Sequence, residues 1–236
     1  MTLRTIIAAG GIETPEQEKR FADYFSDLLR RRTGKARPRI CLLTQAQGER
    51  EDLIVRNFDM YAARGCDIEV LRTFTLKKSF AESCAESDAF FVTGGSTVNM
   101  LAIWQARGID VLLREAYDAG KPVAGYSAGA LCWFEKMAVP DPAVECRYSL
   151  IDGLGWLPGS YAPHFDNCSW RKGVFEKHIG SGCLPAGLGC DDGVFALYED
   201  EVLKGFYSVQ PDAKAYRVTG EKDKAMTDII PPELLL

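Results

Sequence analysis

The sequence predicts an α/β fold in which an open, doubly wound, mostly parallel sheet is wrapped by helices. Three observations carry this. Short apolar runs alternate with helical segments through the first half of the chain. Helical segments stop just before Gly34, Gly65, Gly108 and Gly120, where a left-handed C-cap is easiest. Two apolar runs end in glycine-rich turns, and such sheets bind ligands beyond the carboxyl ends of their strands.

The predicted elements run in order. Strand Thr5–Ala9 leads to helix Pro15–Arg31, with Thr14 as N-cap, Pro15 at the first helical position and Gln17 placed for a capping box. Strand Arg39–Thr44 is followed by helix Glu49–Arg64, then by strands Asp67–Leu71 and Ala89–Thr93. Helices Thr97–Arg107 and Val111–Asp118 precede strand Pro122–Tyr126. From Pro140 onward the pattern is shorter strands, at Ser160–Ala162, Val194–Tyr198 and Val202–Tyr207, with one helix at Trp170–His178. No linker, repeat or low-complexity stretch divides the chain, so residues 1–236 read as one domain.

Composition bounds the function. With 47% apolar and 26% charged residues the chain is globular, and at 236 residues about 70–75% of the unfolded surface can be buried. The net charge of −5 and the scattering of bases among acids argue against nucleic acid as a partner. The run Arg30-Arg31-Arg32 reads as a solvated helix end favoured by the macrodipole. No apolar run approaches the roughly 20 residues of a membrane span, and the N-terminus is too short in apolar residues for a secretory signal. The expectation is a cytoplasmic protein with no membrane partner, a monomer or homodimer. Eight cysteines are widely spaced without C-x-x-C, which suggests neither a zinc site nor a redox pair, and no metal or cofactor is expected.

The chemistry concentrates at the two glycine-rich strand ends. Gly125-Tyr126-Ser127-Ala128-Gly129 fits G-x-S-x-G between an apolar strand and a helix, the setting of a nucleophile elbow that exposes a serine Oγ. A serine needs a base, and only His164 and His178 are available. His178 ends a helix, where imidazole meets the helix dipole; His164, in Tyr161-Ala162-Pro163-His164-Phe165-Asp166, is left as the base. A carboxylate should fix its tautomer. Between serine and histidine the candidates are Glu135, Asp141, Glu145 and Asp152, and the sequence does not choose among them. At the other strand end, Val92-Thr93-Gly94-Gly95-Ser96-Thr97 resembles half of an oxyanion hole, since paired glycines let backbone N–H groups approach a developing negative charge. Neither G-x-G-x-x-G nor G-x-x-x-x-G-K-[ST] is present, so a phosphate loop is excluded.

In order and approximate spacing, Gly94-Gly95-Ser96-Thr97, Gly125-Tyr126-Ser127-Ala128-Gly129-Ala130 and Pro163-His164-Phe165 resemble the motifs of the peptidase E family of serine peptidases, which includes cyanophycinase. The resemblance runs from the first strand to about Val218. It implies a three-layer α/β/α sandwich similar to class I glutamine amidotransferases, with serine in place of their cysteine. It implies Ser127 as nucleophile, His164 as base, and the backbone N–H groups of Gly95 and Ala128 as oxyanion hole. It also implies hydrolysis of small peptides with N-terminal aspartate, without metal or cofactor. Asp141 fits the peptidase E-like acid position and Glu145 the cyanophycinase-like one; the prolines flanking Asp141 favour it. Arg171 is the counterpart of the arginine that recognises the substrate carboxylate, and Gly94 and Asp192 are assigned with it to substrate binding.

Rival readings differ at named positions. A glutamine amidotransferase needs cysteine at position 127, and Cys132 lies a helical turn too far along. An α/β-hydrolase esterase usually carries its histidine near the end of the chain. An esterase or amidase using the same Ser-His pair and a non-catalytic small-molecule or partner-binding domain of this fold remain as alternatives.

Overall fold

The computed structural model describes residues 2–75, 78–141, 148–165, 169–221 and 223–235. The first half alternates as the sequence predicts: β1 (Thr5–Ala9), α1 (Pro15–Thr33), β2 (Arg39–Leu43), α2 (Glu51–Ala62), β3 (Asp67–Leu71), α3 (Phe80–Glu86), β4 (Ala89–Val92), α4 (Thr97–Arg107), α5 (Ile109–Asp118) and β5 (Val123–Tyr126). The second half contains α6 (Ala128–Leu131), β6 (Phe134–Pro140), β7 (Tyr148–Asp152), β8 (Leu157–Ala162) and α7 (Ser169–Gly180). It continues with β9 (Gly187–Cys190), β10 (Val194–Glu199), β11 (Val202–Ser208), β12 (Ala215–Glu221), β13 (Lys224–Ile230) and β14 (Glu233–Leu234).

Local signals explain the ends. At the start of α1, Thr14 Oγ1 accepts from the Gln17 N–H and Gln17 Oε1 accepts from the Thr14 N–H, the reciprocal capping box. Gly34 closes the helix at φ 68°. Helix α2 starts two residues later than predicted, because Glu49 takes φ 55° and its buried carboxylate accepts from the N–H and Oγ1 of Thr73, both at 2.5 Å. Helix α3 was not predicted, although Ser79 and Glu82 form a capping box there.

Eight strands form one sheet in the order β14-β11-β10-β1-β5-β4-β2-β3. The run β1-β5-β4-β2-β3 is parallel, and β10 joins β1 antiparallel. Alternation along β1 separates two cores: Ile6 and Ala8 pack with Phe80, Trp104 and Leu113 of α3 to α5, while Ile7 and Ala9 pack with Phe21, Phe25 and Tyr61 of α1 and α2. Helices on both faces make the α/β/α layering. Each fully buried ring in these layers contributes about 2–3 kcal/mol over an exposed one.

The sequence led to the expectation of a few loose strands after Pro140, but the structure has a second sheet of six, ordered β13-β12-β9-β8-β6-β7. Phe134, Leu157 and Tyr161 tie it to the core that holds α3 to α5, and Tyr161 Oη donates to Ala8 O at 3.0 Å. This bond sets β8 and the turn after it against β1. Among the described residues no helix is long and apolar enough to cross a membrane.

Candidate active site

Ser127 joins β5 directly to α6 with φ 53° and ψ −115°, a strained conformation for a residue with a side chain. Its N–H donates to Ala9 O at 3.2 Å, which fixes the turn to the end of β1. Small neighbours are obligatory here. A Cβ on Gly125 would strike Gly129 O, and one on Gly129 would strike Val92 O. The elbow is therefore seated between β1 and β4, as G-x-S-x-G requires. Cys132 is no rival nucleophile, because it is buried and burial pushes its thiol well above the usual range.

The end of β4 supplies the neighbouring wall. A Cβ on Gly94 would lie 3.0 Å from Ser127 Cβ, so this backbone passes directly beside the serine. Gly95 follows at φ 129°, a conformation that favours glycine, and is exposed. Ser96 N–H donates to Ala46 O at 2.8 Å, and its side chain caps α4 through the Asn99 N–H. Tyr126 is held from behind by Gln47, whose Nε2 donates to its hydroxyl at 3.4 Å. Burial raises the Tyr126 phenol above its usual range, which the Gly94 backbone and Gln47 hydrogen bonds partly offset.

His164 sits in the turn after β8, also at φ 53°. Its Nδ1 lies 2.5 Å from Asp192 Oδ1 and 3.7 Å from Glu13 Oε1. The His164 and Asp192 side chains are 14% and 9% exposed and that of Glu13 52%, so one carboxylate is enclosed and the other faces water. Gly11 lies under the pair: it bridges to Asp192, and a Cβ there would overlap both Asp192 Oδ1 and His164 Nδ1. The end of β1 thus carries Ser127 on one side and the histidine pair on the other. If Nδ1–H donates to Asp192 in the neutral ring, the other ring nitrogen is the acceptor a general base needs.

Glu13, His164 and Asp192 also form the group of metal-ligating side chains found among the described residues, their donor atoms all lying within 4.8 Å. Ligands of a common ion at about 2.0–2.2 Å stand roughly 3 Å or more apart. The 2.5 Å His164–Asp192 contact is a hydrogen bond, not a ligand spacing.

The residues singled out in the sequence distribute as follows. Ser127, Ala128, Gly94 and Gly95 converge at the ends of β4 and β5, and His164 stands over the end of β1. The acid differs from the expectation. Asp192, assigned to substrate binding, is the carboxylate on His164. Asp141 Oδ2 instead accepts from Ser149 Oγ at 2.7 Å, and Asp141 lines a cavity of about 450 Å³ with Pro140 and residues 95–99. The physical reason is topological: β9 lies beside β8, so the turn leaving β9 reaches the histidine turn leaving β8. Glu145 lies outside the described residues. Glu135 points away and accepts from the Gly159 N–H at 2.7 Å.

Arg171 lies in the first turn of α7, its guanidinium 5.2 Å from the Trp170 ring centroid, and the next residue, Lys172, lies over the rings of Phe165 and Tyr216. His178 keeps the structural role expected of it: Nε2 is 3.1 Å from Tyr148 Oη, and burial, with Lys177 adding to it, lowers its pKa. The sequence did not reveal that Glu13 and Asp192 stand at His164 Nδ1. The signals present were the Gly10-Gly11 pair ending β1 and the Asp191-Asp192-Gly193 turn before β10.

Comparison with known proteins identifies the family. The pattern of Peptidase family S51 matches residues 5–205. An uncharacterised peptidase of Bacillus subtilis (strain 168), YgaJ, is 36% identical over 185 residues, 78% of this chain and 79% of its own. Peptidase E of Shewanella denitrificans is 28% identical over 86 residues, 36% of this chain and 37% of its own. The crystal structure of a peptidase from an acI-B1 Actinobacterium has the same fold, with a TM-score of 0.69 at 16% identity over 97% of both chains. The chain belongs to peptidase family S51 and is a serine-type peptidase.

Proposed function

We propose that this peptidase cleaves small peptides with N-terminal aspartate through an acyl-enzyme formed on Ser127. The supporting observation is that the end of β1 anchors both the strained serine elbow, through Ala9 O, and, over Gly11, a histidine whose Nδ1 is held by an enclosed carboxylate. Ser127 Oγ attacks the scissile carbonyl carbon while the free ring nitrogen of His164 takes its proton. Asp192 holds the tautomer and stabilises the imidazolium. The Gly95 and Ala128 N–H groups receive the oxyanion, where preorganised donors are worth most. The imidazolium then returns its proton to the leaving amine as the C–N bond breaks, and water, deprotonated by His164, releases the acid.

The aspartate preference rests on Arg171, whose planar fork suits a carboxylate. A fluorophosphonate probe tests the nucleophile. The protein should be labelled at Ser127, and an Asp-X dipeptide library should be cleaved ahead of neutral X-X dipeptides. No labelling removes the serine mechanism, while labelling without Asp-X cleavage removes only the specificity.

A further inference from the structure

Glu13 places a second carboxylate on the nitrogen that Asp192 already holds, 3.7 Å away. Its position is built in. The Glu13 N–H donates to Gln17 Oε1 at 2.7 Å, inside the cap of α1, and two residues back Gly11 O accepts from the Gly193 N–H at 2.8 Å. Both carboxylates therefore belong to one anchored unit, the end of β1 and the turn before β10. The Glu13 side chain takes no part in the cap, which Thr14 and Gln17 complete between them. Among the described residues no lysine or arginine forms an ion pair with it.

We propose that Glu13 is a positioning residue that acts through His164, a water-facing second carboxylate stabilising the imidazolium that forms when Ser127 gives up its proton. This rests on the reading of His164 as the base. At this separation two charges interact appreciably even in a high dielectric, and because Glu13 faces solvent the effect is weakened by salt. Asp192 is enclosed and fixes the ring; Glu13 adds charge without adding constraint. Among the described residues, the other charged groups near the turn are otherwise engaged: Asp191 with the Lys214 N–H and Tyr216 Oη, and Lys172 over the Phe165 and Tyr216 rings.

The test uses the chain's two histidines. The ring Cε1–H resonances of the whole protein are followed against pH, with His178→Gln assigning His164 by subtraction. Glu13→Gln should lower the midpoint of the His164 titration by about half to one pH unit at low salt, and by less in 1 M sodium chloride. Glu13→Asp, which keeps the charge, should move it less. With p-nitrophenyl acetate, the acid limb of kcat/KM should shift in the same direction while the plateau falls about 3- to 10-fold. Superimposable titrations of the unmodified protein and Glu13→Gln overturn the proposal, as does a plateau loss with an unmoved limb. If no form hydrolyses the ester, the serine reading fails, and the resonance titration still decides the role of Glu13.

Discussion

Ser127 and His164 share one backbone signature, φ 53°, at the ends of β5 and β8 in two different sheets. Neither residue is glycine, and left-handed backbone costs a side-chain-bearing residue of order 1–3 kcal/mol. The surrounding structure holds both: Ser127 N–H on Ala9 O, and Phe165 N–H on Cys190 O at 3.1 Å.

Replacing either member should stop the reaction without unfolding the protein. Ser127→Ala and His164→Ala are each expected to lose at least about 10³-fold in kcat, with the double variant little worse than either. Turnover of a cleavable peptide and circular dichroism measure the two halves of this statement. Near-normal turnover by Ser127→Ala contradicts it.

Asp192 and Asp141 should separate cleanly. Asp192→Asn is expected to lower kcat by as much as about 10⁴, because the amide can stabilise the wrong imidazole tautomer. Asp141→Asn should change KM more than kcat, since Asp141 lines the cavity beside Gly95. Steady-state kinetics on both variants decides this, and a large kcat loss confined to Asp141→Asn returns the acid role to the loop before the histidine.

Gly11→Ala should disable the site without replacing any of its polar side chains. The added Cβ falls on Asp192 Oδ1 and His164 Nδ1, so the pair must part. A fall of about 10²-fold or more in the rate of fluorophosphonate labelling is expected, with the sheet retained. Unchanged labelling refutes the placement of the end of β1 beneath the histidine.

Arg171→Met is expected to lower kcat/KM for Asp-X peptides by about 2–3 kcal/mol, the range of charged hydrogen bonds, and to affect uncharged substrates much less. Equal losses on both substrate types identify a structural role, in line with its stacking on Trp170.

His178 gives a pH signature of stability rather than of catalysis. Burial, with Lys177 adding to it, lowers its pKa below that of a free imidazole. The unfolded chain therefore binds this proton more readily than the folded one. The contribution is present above the unfolded value and lost as pH falls through the folded value. The melting temperature should drop between pH 8 and pH 5 by a margin that His178→Gln reduces, about 1 °C for a partly solvated group. An identical pH dependence in the two proteins contradicts the assignment.

The parallel half of the fold was legible because its signals are local. Five strands lie within about two residues of their predicted bounds, and the Thr14–Gln17 cap marks the start of α1. The second sheet was not. Gly187–Cys190 is short and rich in glycine, and Phe134–Pro140 alternates irregularly, so neither shows a clear two-residue period; only their neighbours make them strands. The candidate serine and histidine were legible from motif and elimination. The carboxylate that stands on His164 was not, because pairing β9 beside β8 is a long-range event that no window of sequence contains.

The placement of β1 has a consequence for biosynthesis. Its end gathers Ser127, His164, Glu13 and Asp192, and β10 must lie against it before the last of these is in place. The proposed hydrolytic centre, which includes residue 192 of 236, cannot form on a ribosome-bound chain until that residue has emerged, and contacts of such sequence separation form slowly. Half-made copies are then expected to be inert towards their neighbours, and the appearance of probe labelling during translation would be a clock for the moment the two sheets meet.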